Sequence, residues 1–496
     1  MRLTELDVPI DARLDGDGTV RITGIAYDSR QVKPGDLFVC LVGGYADGHA
    51  FAERAMAAGA VALLVERPMT AQVTQIVVSD TRAALAVVAA SFYGQPADEM
   101  TVIGITGTDG KTTTSYILDH ILRSVGLVTG VIGTVSVRIA DKVVDHETRQ
   151  TTPESSDVQR LLRRMVDVGV SHAILEATSH GLSLHRLDHV GFDVGAVTNV
   201  TSEHLEHHVT VEAYRAAKAS LFRRVGLSGG VAVVNLDDAG ARAMLDWTGD
   251  ATVTTYSVLE ESATIRASNV RALPTSTRLT VHLAIDAWDV DMPLIGLFNV
   301  SNALCSIGIA IHCGVDPGKA VSALARTPQI PGRMEVVDPS RPLKTVVDYA
   351  HTPASLEAMM RLLRGLNPDG RLIAVFGSAG ERDVPKRAEQ GAAAARLADL
   401  AVFTNEDPRE EDELAILADI ADGARSVGWV EGERFWVIPD RRLAIRHAVS
   451  LANDGDVLLL AGKGHERSII FGQRKTAWNE AEVAAEELAR RFGVAP

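Results

Sequence analysis

The chain is 496 residues long, too long for one ordinary core, so two to four domains are expected, with three as the working number. Apolar residues at 46% and charged ones at 23% exclude a disordered or fibrous chain. The formal charge of −15 argues against a broad nucleic-acid or anionic-membrane surface, so anionic ligands would need local cationic sites.

The N-terminal stretch "MRLTELDVPIDARL" has no apolar signal core, and no apolar run approaches the roughly 20 residues of a membrane span. Cys40, Cys305 and Cys313 have neither C-x-x-C spacing nor an even count, which fits a reducing cytoplasm. "ITGIAYDSRQVKPGDLFVCLVG" reads as short strands with Pro34-Gly35-Asp36 as the turn between two of them, and "HAFAERAMAAGAVALLVE" as a helix followed by a strand. Residues 1 to 96 are thus expected to form a small α/β domain closed by "GQPADEM". In residues 97 to 330 the apolar strands "TVIGIT", "HAILEAT", "DVGAVTNV" and "GVAVVNL" alternate with helical patterns, which predicts a parallel, doubly wound sheet. After the proline-interrupted "TPQIPGRMEVV", residues 331 to 496 repeat that logic with "TVVDYA", "RLIAVFG", "LAVFTN" and "DVLLLAG", and "EAEVAAEELARRF" closes the chain as a helix. The fold class is α/β in three domains, and ligands are expected at the carboxyl ends of the strands.

"VIGITGTDGKTTTSYILDHIL" sets a Gly-rich loop between a strand and a helix, which aims backbone N–H groups and the positive helix end at an anion. Gly107, Thr108, Asp109, Gly110, Lys111, Thr112 and Thr113 are the candidate phosphate contacts. Lys111 supplies a point charge for the β/γ-phosphates, and the Thr112 hydroxyl can ligate Mg²⁺. The spacing departs from G-x-x-x-x-G-K-[ST], because Ile105 stands where the first glycine belongs. An ordinary Gly-rich turn is the bland alternative. Glu176 ends a strand, where a carboxylate could reach a metal held near the loop; a solvated strand-end glutamate is the alternative. In "TNVTSEHLEHHVTVEAYRAAKASLF", His204, His207 and His208 could suggest zinc, but no nearby cysteine supplies a fourth ligand.

Together these stretches resemble the Mur ligase family, the peptidoglycan-building amide ligases whose superfamily includes folylpolyglutamate synthases. The loop "Gly104-x-Thr106-Gly107-Thr108-x-Gly110-Lys111-Thr112" is similar to the family's ATP loop, with Asp109 where Asn is more frequent. The resemblance implies ATP as cosubstrate and two Mg²⁺ ions, with Thr112, Glu176, His204 and Lys218 as metal ligands, Lys218 as a carbamate. Lys111, Lys218, His204 and Glu176 are the implied catalytic residues. Asn299, Asn302, Arg333, Asp348, Tyr349 and His351 match the adenylate-side motifs.

The N-terminal "YDSRQVKPGDLFVCLVGGYADGHAF" resembles the UDP-binding domain of the MurE type, with Ser29 and Arg30 near the uridine diphosphate and Gly44-Tyr45-Ala46 where some relatives have His-Gln-Ala. Thr151, Thr152, Thr178 and Arg186 match positions that hold the muramyl part and the dipeptide; Leu184 replaces a polar residue found in some relatives. The implied activity is ATP-dependent addition of a diamino acid to the D-glutamate of UDP-N-acetylmuramoyl-L-alanyl-D-glutamate through an acyl phosphate. Arg382, Asp407, Arg409, Gly462 and Glu466 are the implied amino-acid contacts. Enzymes using meso-diaminopimelate typically show D-N-P-R where this chain has Glu406-Asp407-Pro408-Arg409. Arg409 suits the distal carboxylate of diaminopimelate as a planar fork, whereas Asp407 would repel that carboxylate and attract an ammonium. Diaminopimelate is therefore preferred weakly, with L-lysine and L-ornithine close behind. A monomer acting on small molecules in the cytoplasm is implied, with no nucleic-acid partner and no membrane insertion. Another Mur-type ligase, making folylpolyglutamate or cyanophycin, and a P-loop regulatory switch are the competing readings.

Overall fold

The structure, a computed structural model, describes residues 1–43, 46–144, 150–201, 208, 210–381 and 383–493. The chain divides into two compact units, one of Met1–Ser268, Thr280–Val290 and Phe298–Leu324, the other of Asn269–Leu279, Asp291–Leu297 and Ala325–Pro496. Three large sheets, one in each of the three expected segments, make the α/β class. Among the described residues no helix is long and apolar enough to cross a membrane.

The first sheet runs in the order Arg13–Asp15, Thr74–Val77, Ala62–Val65, Asp36–Val39, Gly24–Ala26. Gly24–Ala26 and Asp36–Val39 pair in parallel, so Pro34-Gly35-Asp36 does not close a hairpin but ends a crossover, as parallel neighbours require. The central sheet has the inner order Thr252–Ser257, Val231–Asn235, Val194–Val197, Thr101–Thr106, His172–Glu176, Thr129–Ile132, all parallel. Residues 102–106 and His172–Glu176 are buried, which is why they read as continuous apolar runs rather than as alternation. Glu176 pairs with Ile105, so the strand-end carboxylate stands beside the start of the glycine loop. The antiparallel edge strands Val137–Ile139 and Lys142–Val144 have no counterpart in the sequence reading.

In the second unit the order is Glu335–Val337, Lys344–Asp348, Val457–Ala461, Leu372–Phe376, Leu400–Phe403, Phe435–Val437, with only the first strand antiparallel. Leu372–Phe376 and Val457–Ala461 are buried along their whole length. Their carboxyl ends, with those of Lys344–Asp348 and Leu400–Phe403, carry the polar residues singled out above, the placement expected for open α/β sheets.

Candidate active site

The strand Thr101–Thr106 ends in the glycine loop, and the helix Lys111–Ser124 follows at once. Gly110 caps the helix at φ 85° and offers no side chain to the first N–H groups. That left-handed conformation favours glycine, and a Cβ there would run into Asn302 Oδ1. The uncapped donors and the positive end of the helix dipole together suit an anion.

Two lysines meet at this loop. Lys111 Nζ donates to Gly107 O and Thr108 O, each at 2.8 Å. Lys218, on the helix Val211–Leu227, is 1% exposed, and its Nζ donates to the same Gly107 carbonyl at 2.6 Å. Lys218 is therefore no solvated surface charge. Its ammonium also lies 4.6 Å from the centroid of the Tyr214 ring. Tyr214 Oη is 3.0 Å from Thr108 Oγ1, while Asn199 accepts from Thr108 N at its carbonyl and from Asp109 N at Oδ1. The Thr113 side chain is buried within the helix, and Asn302 Oδ1 accepts from Thr114 Oγ1 at 3.3 Å against the same helix start. Asn199 heads the quoted Asn-Val stretch, so a signal for it existed. Tyr214 had only its position one helical turn before Lys218.

Glu176 is 1% exposed. Its Oε2 accepts from Thr112 Oγ1 at 3.0 Å and from Thr134 Oγ1 at 2.7 Å, and its Oε1 accepts from Thr134 N at 3.1 Å. A carboxylate beside a hydroxyl at the phosphate loop is a hard oxygen set, which fits Mg²⁺. His204 and His207 lie outside the described residues; among those described, no group of three or more His, Cys, Asp or Glu could hold a metal ion.

The threonines expected to bind substrate join this network. Thr151 Oγ1 is 3.0 Å from Thr134 Oγ1, Thr152 Oγ1 donates to Glu176 O at 2.7 Å, and Thr152 and Thr178 hydroxyls are 2.9 Å apart. Arg186 Nη1 donates to Thr152 O at 3.0 Å, and its Nη2 pairs with Glu154 Oε1 at 3.0 Å. Glu154 also receives Arg82 Nη1 at 3.2 Å. Nearby, Tyr27 Oη donates to Asp157 Oδ2 at 2.7 Å; burial, with Asp157 beside it, pushes the phenol well above its usual range. Ser29 is buried, whereas the Arg30 side chain is 74% exposed and held by Asp28 at 2.7 Å. Thr134, Glu154 and Asn199 are contacts that the sequence alone did not assign, although Glu154 stands two residues after Thr152.

In the second unit, Asp348 accepts from Met334 N and Ala350 N, both at 2.8 Å, and so fixes the turns on either side. The Arg333 guanidinium lies 4.8 Å from the Tyr349 ring centroid, and the Tyr349 and His351 rings are 4.8 Å apart. Arg382 lies outside the described residues. Asp407, expected to attract a substrate ammonium, already has a cation: Lys463 Nζ donates to its Oδ1 at 2.9 Å, as does Ile470 N at 2.9 Å. Lys463 also donates to Glu466. Lys463 stands directly after Gly462 in the sequence but was not assigned. Burial raises the pKa of Glu406 and of Glu466, and the charge of Lys463 opposes both shifts. Gly462 takes φ 94° with Glu406 beside it; a Cβ there would sit 3.2 Å from Glu406 Oε2. The Arg409 side chain, 29% exposed, has among the described residues a long ion-pair contact of 3.9 Å to Glu381.

Three family descriptions match the sequence in chain order: Mur ligase family, catalytic domain, over residues 21–93; Mur ligase middle domain over 105–310; and Mur ligase, glutamate ligase domain, over 332–464. The chain is 45% identical over 483 residues to a UDP-N-acetylmuramyl-tripeptide synthetase of Roseiflexus sp. (strain RS-1), covering 94% of each. It is 38% identical over 493 residues to a UDP-N-acetylmuramoyl-L-alanyl-D-glutamate--2,6-diaminopimelate ligase of Syntrophomonas wolfei subsp. wolfei, covering 98% of this chain and 99% of that one. A solved ligase of that same description aligns with TM-score 0.66 at 30% identity over 96% of this chain and 97% of that one. MurF from Acinetobacter baumannii shares the fold, with TM-score 0.67 at 22% identity over 95% and 94%. With matches in all three segments and relatives similar over nearly their full length, the chain belongs to the Mur ligase family.

Proposed function

We propose that this chain is an ATP-dependent ligase that joins a diamino acid to the D-glutamate of UDP-N-acetylmuramoyl-L-alanyl-D-glutamate in peptidoglycan biosynthesis. The observation that carries the reading is the convergence of Lys111, Lys218, Thr112 and Glu176 on one glycine loop. Such a reaction brings a carboxylate against the γ-phosphate of ATP. At about 4 Å and an effective dielectric near 20, each pair of unit charges repels by roughly 4 kcal/mol, about three decades in rate. Lys111 meets that demand by exchanging the Gly107 and Thr108 carbonyls for phosphate oxygens, while the helix N–H groups hold the phosphate in line. Thr112 and Glu176 would hold one Mg²⁺, and His204 with Lys218 as a carbamate a second; the ions would neutralise the transferring phosphoryl oxygens. The glutamate γ-carboxylate takes the phosphoryl group, ADP departs, and the amine of the diamino acid displaces phosphate from the acyl phosphate.

In this reading residues 1–96 hold the uridine diphosphate through Ser29 and Arg30, residues 97–330 hold ATP and the muramyl dipeptide, with Thr151, Thr152, Thr178 and Arg186 on the latter, and residues 331–496 hold the amino acid. Asn302, Arg333, Asp348 and His351 serve the adenylate side. Arg382, Arg409, Gly462 and Glu466 contact the amino acid, which is meso-diaminopimelate. Two unmet groups in one loop support that choice: Glu406 Oε2 and Arg409 Nε are both buried without a hydrogen-bond partner among the described residues. One can accept from an ammonium and the other can donate to a carboxylate, and the distal carbon of diaminopimelate carries both. The enzyme works as a cytoplasmic monomer, its three cysteines being free thiols.

The test is phosphate release by the purified protein with ATP, the UDP-muramyl dipeptide and each of meso-diaminopimelate, L-lysine and L-ornithine. Release that requires both the dipeptide and diaminopimelate is expected. Hydrolysis indifferent to both would point to a regulatory NTPase, and strong lysine turnover with none for diaminopimelate would overturn the amino-acid choice.

A further inference from the structure

Lys463 is the buried cation of a carboxylate cluster built from two strand ends. It follows the strand Val457–Ala461 and is 0% exposed, while Glu406 and Asp407 follow Leu400–Phe403 and are 8% and 5% exposed. Its Nζ donates to Asp407 Oδ1 at 2.9 Å and to Glu466 Oε2. Asp407 Oδ1 takes a second donor, Ile470 N. Glu406, Lys386 and Arg441 are further charged groups whose fields act on the cluster. Among the described residues Glu406 Oε2 has no hydrogen-bond partner, and it lies beside Gly462.

A buried ammonium shared by two carboxylates is costly to disturb, because removing it leaves both anions uncompensated in low dielectric. The pairing also changes what Asp407 can do. An isolated aspartate two residues before Arg409 would weaken that arginine's pull on a substrate carboxylate and draw in an ammonium instead. Held by Lys463 and Ile470 N, it does neither, and Glu406 and Arg409 keep the unmet hydrogen-bonding groups.

We propose that Lys463 is a positioning residue for amino-acid selection: it neutralises Asp407, fixes Glu466, and so leaves Glu406 and Arg409 as the groups that read the distal centre of the diamino acid. The inference rests on the reading of these loops as the amino-acid site. Its test compares kcat and KM for meso-diaminopimelate and for L-lysine in the full-length enzyme and three variants. Asp407→Asn should leave the diaminopimelate-to-lysine ratio of kcat/KM within about twofold, since the charge it removes is already compensated. Lys463→Met should raise the amino-acid KM at least about tenfold, leave the KM values for ATP and UDP-muramyl dipeptide within about twofold, and move the ratio about tenfold toward lysine. Lys463→Met with Asp407→Asn should recover about fivefold of that ratio, because a neutral amide replaces the stranded carboxylate.

An unchanged amino-acid KM and ratio in a folded Lys463→Met enzyme overturns the inference, and so does a double variant no better than the single one. If Lys463→Met fails to fold, Asp407→Asn decides alone, and a tenfold shift of the ratio in that variant refutes the idea. Wild-type protein that forms no amide with any diamino acid overturns the functional reading and this inference with it.

Discussion

Replacing Thr134 by valine tests whether the Glu176 carboxylate depends on a hydroxyl that no motif pointed to. Valine keeps the shape and the backbone N–H, so Glu176 Oε1 retains its 3.1 Å bond from Thr134 N, while Oε2 loses its 2.7 Å bond and keeps the one from Thr112 Oγ1. A hydroxyl that donates to Glu176 must accept from Thr151, so the Thr151 hydroxyl loses its acceptor as well. A hydrogen bond to a charged group is worth about 1.5–3 kcal/mol. Taking about 2 kcal/mol, and a factor of ten for each 1.36 kcal/mol, kcat/KM should fall about thirtyfold. The assay is phosphate release titrated with Mg²⁺ at saturating ATP and dipeptide; the Mg²⁺ concentration for half-maximal rate should rise. Urea unfolding should show a loss of no more than about 1–3 kcal/mol, so the variant remains folded. A folded Thr134→Val enzyme with kcat/KM within twofold of wild type and the same Mg²⁺ dependence would refute the argument that this hydroxyl orients Glu176.

Three further outcomes are expected. Glu154→Gln removes the shared anion of Arg186 and Arg82 and should raise the KM for the UDP-muramyl dipeptide; with both partners largely buried, urea unfolding should show a loss toward the lower end of about 3–5 kcal/mol. The Arg441 and Glu480 side chains are both 0% exposed, and Arg441 also donates to Asn405 O and Ala461 O, so Arg441→Met should destabilise by about 3–5 kcal/mol. Adding Glu480→Leu should restore part of that loss, because the stranded charge is then gone. His185 has its pKa raised above 6.5, chiefly by its hydrogen bond to Asp188 at 2.6 Å, so the stabilisation is fully present below pH 6.5 and is lost as pH rises through the folded value. The stability difference between wild type and His185→Gln, measured by urea unfolding from pH 5 to 9, should therefore shrink with rising pH; a constant difference would remove the ion pair as its cause.

Local chemistry made much of this protein legible. The run of apolar residues in Thr101–Thr106, the glycines that must take positive φ, and the Lys-Thr pair opening a helix announce an anion-binding loop within a dozen residues, because backbone geometry and helix dipole are local properties. The same holds for the strand-end position of Glu176 and the alternation of strands and helices. The partners that complete the site come from far along the chain: Thr134 reaches Glu176 across 42 residues, Asn199 holds Asp109 across 90, Tyr214 meets Thr108 across 106, and Lys463 binds Asp407 across 56. Asp407 shows the difference most directly. Its sequence position settles that a carboxylate stands beside Arg409, but whether that charge acts on a ligand depends on the cation that the neighbouring strand end buries against it. Residue type fixes the sign of a charge, whereas sheet register and burial fix its partner and the dielectric around it; only the tertiary structure decides those two.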